Sequence, residues 1–387
     1  MLSANVFSHT GAGGSQPQDR IAAANYTLTP PWTTGENIAW VGTTVTLNPL
    51  SAIVNQHENL FLSPSHRENI LDGGFSEIGI GQQTGTFFVD GTNYNASMVT
   101  QNFAATGGQV FLTGVSYTDG NGNAFYDIGE ARAGTGFTVD GQGVQSAAAG
   151  GYSLLVNPGG MRAVTVTVDG SDTGVEVDFS NGNVKLDAVG GAGAALYTSS
   201  DATLLEPLSP NSISALEGLG IAGLRLTGNS ADNFLSGRDG SDTLNGGEGN
   251  DTIIGGDTSA DLRDVVFAGA GDDRVDGGYG NDSLRGGAGN DTIEGGFGVD
   301  VLVGEAGNDV LTGSAWSDEI FGNDGFDFIN GGFGFDRLNG GADGDKFFHL
   351  GIADHGSDWI QDYNAAEGDV LFYGGGVGPA TAGDFLV

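Results

Sequence analysis

Three consecutive stretches decide the fold of this chain: Gly277-Gly-Tyr-Gly-Asn-Asp-Ser-Leu-Arg285, Gly286-Gly-Ala-Gly-Asn-Asp-Thr-Ile-Glu294 and Gly295-Gly-Phe-Gly-Val-Asp-Val-Leu-Val303. They share the nine-residue pattern G-G-x-G-x-D-x-U-x, in which U is apolar, and the pattern runs from Ala268 to Phe348. Aspartate fills the sixth place at Asp273, Asp282, Asp291, Asp300, Asp309, Asp318, Asp327, Asp336 and Asp345, and two earlier units contribute Asp242 and Asp251. The eighth place is apolar at Val275, Leu284, Ile293, Leu302, Leu311, Ile320, Ile329, Leu338 and Phe347.

The spacing within this repeat predicts a stacked coil. Glycine adopts left-handed backbone conformations without a Cβ penalty, so the glycine-rich residues are expected to form a tight turn with its carbonyls directed inward. The three residues that follow then form a short strand with one apolar side chain in the core, and two units make one coil of a parallel β-roll. A disordered linker rich in glycine and aspartate is the alternative, but disorder does not explain the strictly apolar eighth place.

Turns that lie one coil apart in such a roll are neighbours. Asp273 would then lie next to Asp291, and Asp282 next to Asp300. Carboxylates and glycine carbonyls around one point form the oxygen-rich environment that Ca²⁺ prefers. The expected calcium ligands are the sixth-place aspartates and the glycines Gly269, Gly271, Gly278, Gly280, Gly287, Gly289, Gly296 and Gly298.

This run resembles the RTX, or hemolysin-type, calcium-binding repeat family. The resemblance implies a parallel β-roll over residues 227–348 that folds on several Ca²⁺ ions. Residues 190–226 are rich in Gly, Ala, Ser and Pro and are expected to be a linker and lead-in coil, and residues 257–267 interrupt the array. Residues 349–387 are expected to cap the roll.

Some turns depart from the pattern and are expected to bind ions more weakly. Glu305, Ser314 and Asn323 replace second glycines, Trp316 replaces a fourth glycine, and Asp343-Gly344 inverts places four and five.

Composition limits the classes of function. A length of 387 residues predicts several domains, and a net charge of −37 argues against nucleic acid or an anionic membrane as a partner. Residues 228–348 contain 24 Asp and Glu against 6 Lys and Arg, so much of this charge belongs to the array. The absence of cysteine excludes disulfides and thiolate-bound metals, and no apolar run is long enough to span a bilayer.

Residues 1–105 differ in composition from the rest, with more histidine and aromatic residues. A helix is expected around residues 49–71. The phrases Phe7-Ser-His-Thr-Gly11, Gly35-Glu-Asn-Ile-Ala39, Ser63-Pro-Ser-His-Arg-Glu-Asn-Ile-Leu71 and Gly74-Phe-Ser-Glu-Ile-Gly-Ile-Gly81 occur there in this order. They resemble the bacterial branch of the CAP superfamily, the SCP-like extracellular domain, and Met98-Val-Thr-Gln-Asn-Phe103 resembles its closing strand.

The resemblance implies an α-β-α sandwich with a cleft that binds a divalent metal in some members. Its histidines fall on His9 and His66 and one glutamate on Glu36, whereas Ser63 stands where many members have a second glutamate, and Glu77 occupies an acidic position. Two imidazoles and a carboxylate could hold Zn²⁺. A hydrogen-bonded polar cluster without turnover is the alternative.

The resemblance also implies a helix of about twenty residues before the Phe7 phrase. Since Met1 falls where that helix should end, either the true start lies upstream or the domain lacks a layer. We favour an upstream start, because the missing helix would expose its docking face.

Two hydrolase motifs are excluded in this region. His57-Glu-Asn-Leu-Phe61 lacks the second histidine of H-E-x-x-H. Gly74-Phe-Ser-Glu-Ile78 lacks the second glycine of G-x-S-x-G.

Residues 109–189 carry short alternating runs at residues 110–117, 136–139, 152–156 and 163–168. Asp140-Gly141 and Asp169-Gly170 lie between them as hairpin turns, which predicts a small β-sandwich. It resembles the carboxypeptidase-regulatory or Cna-B-like modules of bacterial surface proteins.

A loop within this sandwich has the spacing of an EF-hand. Places 1, 3, 5, 7, 9 and 12 are occupied by Asp119, Asn121, Asn123, the Phe125 carbonyl, Asp127 and Glu130. Ala124 stands where glycine is usual, so an Asx-rich hairpin without an ion is the alternative.

The chain ends in Asp384-Phe-Leu-Val387, which resembles the ending of type I secretion substrates, and its N-terminus has no basic and apolar leader. The sequence thus predicts a secreted, extracellular, multidomain calcium-binding protein that uses the type I secretion apparatus. We favour a CAP domain that binds a protein, glycan or lipid over a hydrolase built on His9, Glu36 and His66, with storage or matrix building by the roll as a third possibility.

Overall fold

The computed structural model describes residues 15–23, 32–63, 66, 77–106, 110–121, 126–127, 129–191, 193–220, 223–256, 258–349, 356–373 and 385–386. The chain divides into two compact units, Met1–Gln109 and Val110–Val387. Each unit is built on its own sheets.

The first unit contains a three-stranded antiparallel sheet. Its described elements are α1 (Pro17–Ala23), β1 (Trp32–Thr43), α2 (Pro49–Leu62), β2 (Glu77–Val89) and β3 (Thr92–Thr106). The strand order is β1-β3-β2, and β2 and β3 meet at Asp90-Gly91, with φ of 48° and 79°. These angles suit the two-residue turn that follows the twist of a hairpin.

Helix α2 packs on this sheet through polar as well as apolar contacts. It begins after Asn48, whose Oδ1 accepts a hydrogen bond from the Ser51 amide at 3.2 Å as an N-cap. Inside the unit, Gln56 Nε2 donates to the Ala39 and Ser97 carbonyls at 2.9 and 3.0 Å. The described helix α2 ends at Leu62, because Ser63 precedes a proline and is disfavoured in the helical region. His66 is again helical, and the rest of the segment 64–71 lies outside the described residues, so a helix that reaches Leu71 stays a prediction.

The described elements of the first unit do not show the three-layer α-β-α sandwich of the CAP superfamily. The Phe7 phrase lies outside the described residues. Membership of that superfamily therefore stays a prediction.

The second unit begins as a two-sheet β-sandwich. Its strands are β4 (Val110–Tyr117), β5 (Gly136–Val139), β6 (Gln142–Gln145), β7 (Gly151–Val156), β8 (Met161–Val168), β9 (Ser171–Asp178) and β10 (Val184–Val189). Strands β7, β4 and β10 lie in one sheet and β6, β5, β8 and β9 in the other. Between the sheets Phe137 stacks on Tyr152 with ring centroids 3.6 Å apart. The predicted turns at Asp140-Gly141 and Asp169-Gly170 have both residues at positive φ.

The same two sheets continue into a parallel β-solenoid of about nine turns. Its strands are β11 (Ala195–Thr198), β12 (Ala202–Leu204), β13 (Ala215–Gly218), β14 (Arg225–Thr227), β15 (Phe234–Ser236), β16 (Thr243–Glu248), β17 (Thr252–Ile254), β18 (Val265–Ala270), β19 (Arg274–Asp276), β20 (Ser283–Ala288), β21 (Thr292–Phe297), β22 (Val301–Ala306), β23 (Val310–Ala315), β24 (Glu319–Asp324), β25 (Phe328–Phe333), β26 (Arg337–Ala342), β27 (Lys346–His349), β28 (Asp358–Ile360), β29 (Val370–Tyr373) and β30 (Phe385–Leu386). Strands β11 and β12 pair antiparallel with β10 and β9, and every later pairing is parallel.

This continuity gives the second unit one hydrophobic core that runs from Val110 to Ile360. Residues 190–226, which we predicted to be a linker and lead-in coil, contribute strands β11 to β14, because apolar residues such as Leu196 and Leu216 are fully buried in that core. In the roll the eighth-place residues form files, as in Leu284 beside Leu302 and Leu302 beside Ile320.

The C-terminal strands extend the roll. Strand β28 pairs in parallel with β26, β29 with β27 and β30 with β28. That residues 349–387 cap the roll stays a prediction. The sequences Asp358-Trp-Ile360 and Asp369-Val-Leu371 repeat the D-x-U portion of the array, which explains why they add coils. In the part of the chain that the structure describes, no helix is long and apolar enough to cross a membrane.

Candidate metal centre

The turns of the roll gather along two edges. We call edge 1 the turns that end in Asp251, Asp273, Asp291, Asp309, Asp327 and Asp345, and edge 2 those that end in Asp242, Asp264, Asp282, Asp300, Asp318 and Asp336. Successive members of one edge lie in adjacent coils because their strands pair in parallel.

A ladder of hydrogen bonds joins the aspartates of each edge. On edge 1 the Asp291 amide donates to Asp309 Oδ1 at 2.8 Å, and the Asp309 amide donates to Asp327 Oδ1 at 2.8 Å. On edge 2 the Asp282 amide donates likewise to Asp300 Oδ1 at 2.8 Å. One oxygen of each carboxylate therefore fixes the spacing between two coils.

These carboxylates are buried, which is unusual for an acidic side chain. Asp300 and Asp327 are 0% exposed. Loss of solvation on burial, followed by nearby carboxylates, raises the pKa of Asp282 and Asp318 to about 8 and that of Asp327 to about 7 against the ladder hydrogen bonds. Without a counter-charge the folded roll thus disfavours ionised aspartates.

The second oxygen of each carboxylate is the atom that fits a cation. Oδ2 is buried and has no hydrogen-bond partner within the described residues at Asp242, Asp251, Asp264, Asp273, Asp282, Asp291, Asp300, Asp309, Asp318, Asp327 and Asp345. Such an oxygen is costly to bury unless it meets a positive charge or a donor.

The first glycine of the turn makes room for this oxygen. A Cβ placed on Gly322 would lie closer than 3.0 Å to both Asp327 Oδ2 and the Gly340 carbonyl oxygen of the next coil. The same pairing of a carboxylate and a carbonyl oxygen occurs at Gly237, Gly246, Gly255, Gly277, Gly286, Gly295, Gly304 and Gly313. Each such turn therefore brings together two oxygens of the kind that Ca²⁺ binds.

The second and fourth glycines, which include the eight predicted ligands, shape the turn. Gly287 and Gly289 have φ of 115° and 135°, and a Cβ on either would overlap the carbonyl oxygen of the matching glycine, Gly269 or Gly271, one coil earlier. These carbonyls therefore stack between coils.

The chemistry of the donor set favours a hard cation. Among the described residues, no three His, Cys, Asp or Glu side chains gather as a group that could hold a metal. The oxygens that the described turns bring together are carboxylate and backbone carbonyl oxygens, the donors that Ca²⁺ prefers.

Comparison with known families agrees with this geometry. The segments 227–259, 260–293, 276–311, 294–325 and 312–347 match the RTX calcium-binding nonapeptide repeat family. These turns are RTX repeats. The match covers the roll alone, and no curated protein matches the chain.

The replaced glycines of the RTX repeats keep the glycine conformation. Glu305, Ser314 and Asn323 have φ of 79°, 80° and 77°, and Trp316 and Asp343 have φ of 90° and 76°. Residues with a Cβ are strained there by about 1 kcal/mol, and asparagine less so than others.

We therefore expect Ser314→Gly to raise the free energy of unfolding by roughly 1 kcal/mol, measured by urea unfolding in millimolar Ca²⁺. Asn323→Gly is the matched comparison and should give a smaller gain, because asparagine tolerates this region. If neither variant raises the free energy of unfolding, the turns are not strained.

Three ladder aspartates were missed by sequence reasoning because their turns lack the glycine pattern. Asp264 takes the place between Asp242 and Asp282 in edge 2, accepting the Asp242 amide at 2.7 Å. Asp358 and Asp369 continue the two ladders beyond the array, at 3.4 and 3.0 Å from the preceding amide nitrogens. The tripeptide pattern D-x-U alone would have found all three.

The predicted loop of the sandwich is closed by its glutamate. Glu130 Oε1 accepts the Gly120 amide at 2.8 Å and Oε2 accepts the Asp127 amide at 2.9 Å, while Asn121 Nδ2 donates to Asp127 Oδ2 at 2.8 Å. Asn123 and Phe125 lie outside the described residues. Calcium binding by Asp119, Asn121, Asp127 and Glu130 stays a prediction.

The proposed CAP cleft is described only in part. Glu36 lies buried on β1, and His66 Nδ1 lies 2.9 Å from Ser63 Oγ. The neighbour of Glu36, Asn37, donates to the His66 carbonyl at 2.8 Å. His9 lies outside the described residues, so the site made of these three groups stays a prediction.

Proposed function

We propose that this protein is a secreted calcium-binding protein whose RTX roll folds when Ca²⁺ binds along edges 1 and 2. The observation that carries the proposal is the row of buried Oδ2 atoms, nine of which lie with a carbonyl oxygen at the first glycine of their turn. RTX repeat proteins are typically secreted.

Coulomb and solvation energies favour the unfolded chain without calcium and the folded roll with calcium. An unfolded chain keeps its carboxylates ionised and hydrated, whereas the folded roll buries them in rows. Bound Ca²⁺ supplies the missing counter-charge, so folding and binding occur as one event. The Asp ladders hold the spacing between coils, and the glycine carbonyls complete the oxygen set.

The same balance supports export in an unfolded state. Free Ca²⁺ in the cytosol is far below the roughly 10⁻⁴ to 10⁻³ M affinities of extracellular modules, so the array stays unfolded there. Outside the cell the ion is abundant and the roll forms. The net charge of −37 opposes collapse before that point.

A calcium titration of the full chain tests the proposal. Far-UV circular dichroism should show β structure rising with Ca²⁺ up to millimolar concentration and falling when a chelator is added. Hydrogen exchange should locate the new protection in residues 223–373. Magnesium at equal ionic strength is the control, because it retains its water more strongly. The same β content in chelator as in Ca²⁺ would refute calcium-driven folding.

For the first unit we propose binding of an extracellular protein, glycan or lipid by a CAP domain. The support is the sequence resemblance together with the buried polar network, in which Asn37 and Ser97 bond to Gln101 and Gln56 at 3.1 and 2.9 Å. A buried hydrogen-bonded network of this kind is compatible with a binding domain that catalyses no reaction.

A further inference from the structure

Among its described residues, the irregular coil at 255–256 and 258–264 has one more buried carboxylate than a regular turn. In a regular turn the sixth-place aspartate alone directs Oδ2 against a glycine of its own turn. Asp264 does this here, with Oδ2 against Gly255. Asp261 adds a second carboxylate, with Oδ2 against Gly256.

The Oδ2 atoms of Asp261 and Asp264 are both buried without a hydrogen-bond partner among the described residues. Asp261 is 6% exposed and Asp264 is 0% exposed. Their Oδ1 atoms are engaged, with the Leu262 amide at 2.9 Å and the Asp242 amide at 2.7 Å. Burying two ionised carboxylate oxygens at adjacent glycines is costly, and a bound cation would offset that cost.

Carbonyl oxygens face the same two points. A Cβ on Gly256 would lie closer than 3.0 Å to both Asp261 Oδ2 and the Arg238 carbonyl oxygen. A Cβ on Gly255 would lie equally close to Asp264 Oδ2 and the Gly277 carbonyl oxygen. At the second glycine of the regular turns, by contrast, only backbone atoms of the earlier coil approach, as at Gly287. The coil 255–264 thus offers oxygens at two adjacent glycines.

Local bonds hold this arrangement in place. The Leu262 amide donates to the Gly240 carbonyl at 2.9 Å, which ties the inserted residues to the previous coil. The Asp261 amide donates to the Thr258 carbonyl at 3.0 Å, and Thr258 Oγ1 donates to Asp239. The added carboxylate is therefore held by bonds on both sides of it.

We propose that this coil binds an additional hard divalent cation, Ca²⁺, with Asp261 Oδ2 as the ligand that distinguishes it from the regular RTX turns. The Arg238 carbonyl oxygen lies with Asp261 Oδ2 at Gly256, and the regular pair of Asp264 Oδ2 and the Gly277 carbonyl lies at the neighbouring Gly255. The extra negative charge makes this site bind Ca²⁺ more tightly than the regular turns, because affinity rises with the number of charged ligands. The inference rests on the proposed calcium-dependent roll and adds a site to it.

Counting bound ions in the full chain tests the proposal. Calcium bound at equilibrium is measured on the folded fraction from gel filtration for the wild type, Asp261→Asn and the control Glu248→Gln. Glu248 is an exposed carboxylate in the adjacent turn on edge 1, so its change removes the same charge. Asp261→Asn should bind one Ca²⁺ fewer than the control and lose the tightest phase of a calorimetric titration. The same count and affinity in both variants would overturn the additional site.

A second variant keeps every carboxylate and closes the space. Gly256→Ala places a Cβ against Asp261 Oδ2 and the Arg238 carbonyl, and should cost the same ion. If Asp261→Asn does not fold, the ion count of Gly256→Ala decides, and an unchanged count overturns the proposal. A wild-type chain that binds no Ca²⁺ would refute the calcium-dependent roll as well, whereas a lost difference between variants refutes only the added site.

Discussion

Asp327→Ala is expected to remove bound Ca²⁺ from edge 1 and to lower the free energy of unfolding by at least about 2 kcal/mol in millimolar Ca²⁺. The variant leaves the buried Asp309 amide without its acceptor, which Asp327 Oδ1 provides at 2.8 Å. It also removes the Oδ2 atom that lies beside the Gly340 carbonyl. Urea unfolding and equilibrium calcium counts measure the two losses.

Two further variants separate these contributions. Asp327→Asn keeps an oxygen for the Asp309 amide but removes the charge, so it should bind less calcium than the wild type. In chelator at acid pH, where the buried carboxylates are protonated, its free energy of unfolding should fall less than that of Asp327→Ala. Asp324→Asn is the matched control, because Asp324 is an exposed carboxylate in the same turn. If Asp324→Asn lowers stability and calcium binding as much as Asp327→Ala, the ladder has no special role.

Leu302→Ala is expected to destabilise the roll by about 2–5 kcal/mol, the usual cost of a cavity at a fully buried leucine. Leu302 is 0% exposed and lies between Leu284 and Ile320 in the file of eighth-place residues. Because each coil contributes only two such residues to the core, no further layer of side chains is present to fill the cavity that the substitution leaves. Urea unfolding in millimolar Ca²⁺, followed by circular dichroism, measures the change.

Val310→Ala is the control for this experiment. Val310 is 41% exposed at the seventh place of its repeat, on the outer face of the roll. Its truncation should change the free energy of unfolding by no more than about 0.5 kcal/mol. A Leu302→Ala loss no larger than that of Val310→Ala would contradict a core made of single files.

The array shows how far local sequence determines structure. Its turns were predictable because second and fourth glycines select a positive φ that few other residues adopt, and its core because only the eighth place is always apolar. The strands at residues 110–117 and 136–139 were predicted with the bounds that the structure has, since alternation and Asp-Gly turns are local signals.

The errors arose where a signal was weak or shared between distant segments. Asp264 was missed because inserted residues separate it from the Gly255-Gly256 pair of its turn, although its position in the ladder is set by Asp242 and Asp282 on either side.

The sequence by itself determined the repeat, the identity of the core residues and the preference for a hard cation, because each is written within nine residues. Only the tertiary structure decided that the sandwich and the roll share two continuous sheets, that one carboxylate oxygen spaces the coils while the other faces a glycine, and that Asp261 joins Asp264 in one turn. Those features depend on which residues become neighbours across coils, and this is set by sheet pairing and burial.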